Sequence, residues 1–199
     1  MKVLLLNGSP NAQGCTYTAL SEVAGALEKN GIETEFVQIG KKPVSGCIAC
    51  RACAKLGKCV FDDGVNEFVE KAKEADGFVF GSPVYYANAS GQVRSFLDRA
   101  FYSGGKYFTG KPGAAVVSCR RAGSTTAWDE LNKYFTINCM PIVASQYWNM
   151  VHGNTPEEVK QDLEGLQIMR TLGNNMAWLL KCIAAGKAQG IDFPQREPA

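Results

Sequence analysis

A parallel α/β sheet with helices on both faces is the architecture to expect from this chain of 199 residues. Three observations lead there. Five apolar runs alternate with five stretches of helical periodicity, an order that builds strand–helix–strand crossovers. The runs are apolar at consecutive positions, as in strands covered on both sides. The small, hydroxyl-bearing and Gly-containing segments fall just after several of the runs, where such sheets bind their ligands. Residues 1–190 read as a single domain and 191–199 as a polar, Pro-bearing, loosely ordered tail.

Val3-Leu4-Leu5-Leu6, closed by Asn7-Gly8, is the first strand. Leu20, Val23, Ala24 and Leu27 recur at helical spacing, and Asn30-Gly31 supplies the stop. Residues 32–39 alternate as a second strand, and a cysteine-rich loop over 41–62 follows. Asp63 is a candidate cap for a helix that presents Val65, Phe68, Val69 and Ala72 on one side. Gly77-Phe78-Val79-Phe80 is the third strand, and Val93, Phe96, Leu97 and Ala100 mark the helix after it. Gln92, Arg94 and Arg99 ride on that helix. Ala114-Ala115-Val116-Val117 is the fourth strand, and Trp128, Leu131 and Phe135 line the next helix. Residues 141–147 make the fifth strand. Thr155 as N-cap, Pro156 at the first helical position and Glu158 in a capping box open the last helix. Leu163, Leu166, Met169, Leu172, Met176, Leu179 and Ile183 continue it, with the methionines as core filling.

Lys and Arg number 21 against 19 Asp and Glu, a net charge of +2 with both signs interspersed. That balance gives no basic face for nucleic acid. No eighteen consecutive apolar residues occur, so no membrane helix is expected. The first apolar run is too short for an export signal, and eight cysteines without one point to reduced thiols in a cytoplasm.

Four of those cysteines, Cys47, Cys50, Cys53 and Cys59, follow the spacing C-x2-C-x2-C-x5-C. Thiolates are soft ligands, and C-x2-C-x2-C is the run that grips an iron–sulfur cubane, with Cys59 near enough to complete the set. Two other readings stand beside it: a metal-free thiol loop, and a zinc site, although no second C-x2-C knuckle is present. A lone histidine makes no metal site, and His152 is assigned a structural or solvent role.

Three loops should meet at one sheet edge. Residues 7–16 run directly into a helix, whose first N–H groups and positive end favour a phosphate. Ser9 and Thr16 add hydroxyls and Asn11 an amide; the plainer reading is an ordinary capped turn. There is no Walker lysine and no G-x-G-x-x-G, so triphosphate cleavage and a dinucleotide fingerprint fit poorly. Residues 82–91 hold Pro83, Tyr85 and Tyr86; taken alone, the tyrosines favour edge packing over contact with a flat ring. Residues 118–124 add Cys119, Arg120, Arg121 and Gly123; the arginines suit either an anionic donor or a subunit contact. Phe101, Tyr102, Tyr107 and Phe108 form an aromatic group that belongs in a core or an interface.

Asn7-Gly8-Ser9-Pro10, Gly14-Cys15-Thr16 and Gly81-Ser82-Pro83-Val84-Tyr85 together resemble the flavodoxin-like NAD(P)H-dependent FMN reductases. With Cys47, Cys50, Cys53 and Cys59 the chain is similar to the iron–sulfur flavoproteins of anaerobic microbes. The resemblance implies a five-stranded flavodoxin-like sheet in the order 2-1-3-4-5. It implies FMN with its phosphate on Ser9, Asn11, Gly14, Cys15 and Thr16, although Cys15 stands where such loops usually carry Asn or Ser. The flavin ring would lie against Pro83, Val84, Tyr85, Tyr86 and Asn88, near Cys119, Arg120 and Gly123. A [4Fe-4S] cluster would sit on the four clustered cysteines, in a homodimer or homotetramer. The implied activity is an FMN-dependent oxidoreductase coupled to the cluster, serving a small redox substrate or a redox-protein donor. A cluster-free NAD(P)H-dependent FMN or quinone reductase and a non-enzymatic carrier fed by ferredoxin-like proteins are the alternatives.

Overall fold

The computed structural model describes residues 1–194 and 197. At its centre β1 (Lys2–Asn7) pairs in parallel with β2 (Glu33–Gln38) on one side and β3 (Gly77–Tyr85) on the other. β5 (Gly113–Cys119) and β6 (Met150–His152) extend the sheet, giving the parallel order β2-β1-β3-β5-β6. The order reverses beside β1, so the carboxyl ends of β1, β3 and β5 open onto one crevice. A sixth strand was not expected: β4 (Asn88–Ala89) folds back antiparallel on Val84 and Tyr85.

Side chains alternate across β1 and feed two cores. Leu4 and Leu6 join Phe78 and Phe80 under α3 (Val65–Glu74), α4 (Gly91–Gly104) and α5 (Ser124–Ile137). Val3 and Leu5 join Val79 and Val116 under α1 (Cys15–Lys29) and α7 (Leu163–Ala188). Both helix methionines singled out above, Met169 and Met176, are wholly buried there. On the other side the Phe101 and Phe108 rings meet at a tilt with centroids 4.4 Å apart, and Phe108 is wholly buried. Tyr102 departs from that group and stands 76% exposed.

Four expectations need correction. Asp63 caps nothing: the N-cap of α3 is Gly64, in the left-handed region at φ +91°, and the Asp63 carboxylate is drawn instead to Arg99. The fifth strand is not continuous over 141–147. The chain meets β5 through a bridge from Ile142 to Gly113, leaves it, and rejoins as β6. Ser145 causes the departure: its hydroxyl donates to Tyr147 O at 2.6 Å and sits 2.7 Å from Asn149 Oδ1, closing a local turn that competes with the ladder. Thr155 does cap a helix, but only the single turn α6 (Pro156–Val159). The long α7 starts from a separate cap, where the Asp162 carboxylate accepts the Gly165 N–H at 3.0 Å. The cysteine loop, expected to be irregular, contains the short helix α2 (Ala52–Leu56).

Beyond α7, residues 191–194 form no regular element, and the Ile191 N–H returns to Gly186 O at 2.9 Å. Tail residues 195, 196, 198 and 199 lie outside the described residues. No helix among the described residues is long and apolar enough to cross a membrane.

Candidate functional site

The loop after β1 is shaped from beneath by two amides. Asn7 is 1% exposed; its Oδ1 accepts the Ser9 N–H at 3.1 Å and its Nδ2 donates to Gln38 Oε1 at 2.6 Å. Gln38 Nε2 in turn donates to Ser9 O at 2.6 Å. Weaker bonds run from Asn7 Nδ2 to the carbonyls of Asn11 and Ala12. The loop's carbonyls are thereby drawn to the protein side. Gly8 is required where the loop leaves the sheet, since a Cβ there would lie 2.6 Å from the Gly81 carbonyl oxygen.

The loop delivers the chain to α1 with Gly14 as N-cap and no side-chain cap bond. The first-turn N–H groups of α1 have no intrahelical acceptor, and the helix end is electropositive. Thr16 Oγ1 and Ser118 Oγ stand 2.8 Å apart in a buried pair. One proton makes that bond, so the other hydroxyl proton is left for a ligand oxygen. Backbone N–H groups and neutral hydroxyls gathered at a helix start fit a phosphate monoester.

The second wall is the end of β3. Pro83 runs beside Ser118, and the strand turns at Tyr86 and Ala87, with φ +50° and +60°. Two left-handed central residues define a type I′ hairpin, a turn that usually takes Asn-Gly. The turn is held in place from three sides. The Ser90 hydroxyl donates to Gly8 O at 3.0 Å, tying the start of α4 to the first loop. Glu130 accepts the Ala89 N–H at 3.0 Å. Gly123, at φ +81°, lies under the tip, where a Cβ would come within 2.6 Å of Ala87 Cα.

Of the predicted residues, Ser9, Asn11, Cys15, Thr16, Pro83, Val84, Tyr85, Cys119 and Arg120 line one cleft of about 190 Å3. Burial pushes the Cys15 and Cys119 thiols above the usual cysteine range. Gly14 lies just outside this cleft, in an adjoining groove with Pro10, Gln13 and Lys41. Tyr86 and Asn88 belong to the hairpin tip, and the Tyr86 side chain is fully exposed. Edge packing of Tyr86, favoured by the sequence alone, is therefore not what occurs. Ser118, in the third expected loop but not singled out there, also lines the cleft, as do Gly153 and Asn154, which were not anticipated. Gly153 and Asn154 follow β6, so a correct placement of the last strand would have pointed to them. His152 lies at the surface, 46% exposed, with Nδ1 3.5 Å from Asp162.

A second cavity, of about 510 Å3, is lined by Cys47, Cys50, Cys53 and Cys59 together with Ile48, Val60, Phe61, Arg99 and Tyr102. Ala49 and Arg51 take left-handed φ values of +53° and +55° on either side of Cys50. Non-Gly residues held in that region concentrate at functional sites. They coil the run so that its three cysteines face one space. Cys47 and Cys50 are exposed, Cys53 and Cys59 half-buried, and all four are free thiols. The Cys59 backbone is fixed by Asn66, which accepts its N–H at 2.8 Å and donates to its carbonyl at 3.0 Å.

Among the described residues no three His, Cys, Asp or Glu groups stand close enough to hold one metal ion. A single zinc needs four sulfurs about 2.3 Å from one point. A cubane binds each thiolate on a different iron and spreads them around a volume. Four thiols around a roomy cavity with no competing carboxylate fit the second case.

The family described as NADPH-dependent FMN reductase matches residues 1–155. An iron–sulfur flavoprotein of Methanocaldococcus jannaschii is 35% identical over 191 residues, spanning 92% of this chain and 99% of its own length. An iron–sulfur flavoprotein of Methanosarcina thermophila is 30% identical over 188 residues, 92% of this chain and 97% of its own. A solved flavodoxin from the domain Archaea superposes with a TM-score of 0.60 at 15% identity, covering 91% of this chain and 99% of that one. The flavodoxin-like parallel sheet expected from the sequence is observed, but it carries six strands rather than five, with β4 off the parallel path and the last strand later in the chain than expected.

Proposed function

The chain belongs to the NADPH-dependent FMN reductase family, and within it to the iron–sulfur flavoproteins; from that premise we propose that it is an oxidoreductase coupling FMN in the β1–β3–β5 cleft to a [4Fe-4S] cluster on Cys47, Cys50, Cys53 and Cys59. When bound in these sites, FMN would supply chemistry that converts electron pairs to single electrons and a cubane would supply one-electron transfer, while the residues bind and orient them.

The observation that carries the reading is the presence in one chain of two separately built sites, a helix start with unspent donors and a cavity ringed by four thiols. The residues' own work is binding and orientation. Ser9, Asn11, Thr16 and the N–H groups at the start of α1 would hold the phosphate. Pro83, Val84 and Tyr85, stiffened by the Pro83 ring, would support a flat heterocycle. Arg120 at the rim supplies a cation for an anionic donor such as NADH or NADPH. Exposed Ile48, Leu56 and Tyr102 beside the cysteine cavity favour a homo-oligomer that covers it.

Oxygen-free purification followed by chemical analysis tests the assignment. Iron, acid-labile sulfide and FMN are expected at about 4:4:1 per chain. Yellow protein devoid of iron would instead indicate a cluster-free FMN reductase. Colourless protein that refuses added FMN would end the redox reading. Anaerobic mixing with NADH or NADPH then separates enzyme from carrier: bleaching of the flavin marks the enzyme, and reduction only by a protein donor marks the carrier.

A further inference from the structure

Arg99 is the largest fully buried side chain among the described residues, 1% exposed, on a helix whose other buried residues are mainly apolar or small. Burying a guanidinium is unfavourable unless its donors are satisfied. Here four N–H contacts are made, and all run to the cysteine loop or its flanks. NH1 reaches Ser45 O at 3.1 Å, ahead of Cys47. Nε reaches the Cys59 sulfur at 3.2 Å. The remaining contacts form a fork onto Asp63, NH1 to Oδ2 at 2.5 Å and NH2 to Oδ1 at 2.7 Å. The Phe61 ring covers the guanidinium face at 4.7 Å. One side chain from α4 therefore grips the loop before its first cysteine, at its last cysteine and just beyond.

Resting on the cluster reading above, we infer that Arg99 is the positioning residue of the iron–sulfur centre: it clasps both ends of the cysteine loop onto α4 and aims an N–H at the Cys59 sulfur, raising the reduction potential of a cluster held there. Reduction adds negative charge to a cluster, so a hydrogen bond and a positive charge at a ligand sulfur favour the reduced state. Asp63 opposes part of that charge while fixing the fork. The two residues therefore act on the potential with opposite sign. A purely structural ion pair would not, because breaking it from either side would loosen the loop in the same way. Lysine cannot replace the clasp, having neither the fork nor a side-pointing Nε–H.

Arg99→Gln, Arg99→Lys and Asp63→Asn test this, with bound FMN per chain as the control for folding. EPR-monitored redox titration should place the centre at a lower potential than wild type in Arg99→Gln and at a higher one in Asp63→Asn. Arg99→Lys should release iron to a chelator several-fold faster than wild type. Potentials that coincide with wild type, or that move the same way in Arg99→Gln and Asp63→Asn, would overturn the electrostatic role. Should Arg99→Gln fail to fold, the Asp63→Asn shift and the Arg99→Lys iron release decide alone. Hydrogen exchange over residues 45–63 in metal-free protein judges the clasp independently. Exchange at least ten-fold faster in Arg99→Lys supports it, and unchanged exchange overturns it. Wild-type protein that takes up no iron would remove the cluster reading and the potential claim together, while the exchange result would still decide whether Arg99 holds the loop.

Discussion

Thr16 shows how much one hydroxyl is asked to do. It sits 1% exposed at the start of α1 and shares a proton with Ser118 across the crevice. Thr16→Val keeps the volume but removes one of the two hydroxyls, leaving Ser118 without its protein partner. FMN retention should weaken by about 1–2 kcal/mol, roughly ten-fold in Kd. Fluorescence titration of the metal-free protein measures this, and an unchanged affinity would take Thr16 out of the phosphate site. That Thr16, Ser9 and Asn11 line one cleft was legible because small polar residues between a buried strand and a helix gather at the sheet's carboxyl edge. Arg99 was not. It lies next in sequence to Ala100 on an amphipathic pattern, and its counter-ion Asp63 is 36 residues away, so nothing local distinguishes it from a solvated charge.

Among the elements, the β3–β4 hairpin stores strain. Tyr86 and Ala87 both occupy the left-handed region, and neither is glycine. Ala87→Gly should relieve one of these positions and stabilise the protein by about 0.5–1 kcal/mol, raising Tm by about 2 °C on thermal unfolding of the flavin-free chain. A lower Tm would mean that the tip is held without strain. The hairpin was hidden in the sequence because Tyr-Ala is a poor turn signal; the turn is imposed by Gly123 beneath it and Glu130 beside it. The last strand was misplaced for a related reason. Ile142 and Val143 look like strand residues and make a single bridge to Gly113, but the side chain of Ser145 diverts the chain. Strands β1, β3 and β5 were readable because their central residues are buried on both faces and form consecutive apolar runs.

Across the protein, the cleft proposed for FMN and the cysteine cavity have no lining residue in common among the described residues. Cys50→Ala should therefore abolish iron binding and leave FMN at about one per chain, read by iron analysis and flavin absorbance on the same sample. Parallel loss of flavin would contradict that separation. Helix α4 is what relates the two sites. Its N-cap Ser90 is bonded to Gly8 at the cleft, and Arg99 is bonded to the cysteine loop. Nine residue steps along the helix separate the two anchors by about 14 Å, at 1.5 Å per step. A helix fastened at both ends behaves as a ruler. Inserting one residue between Ser90 and Arg99 would swing the guanidinium about 100° around the axis and away from its sulfur. The length of this segment is therefore fixed more tightly than its composition, and homologous chains should absorb their gains and losses of residues elsewhere.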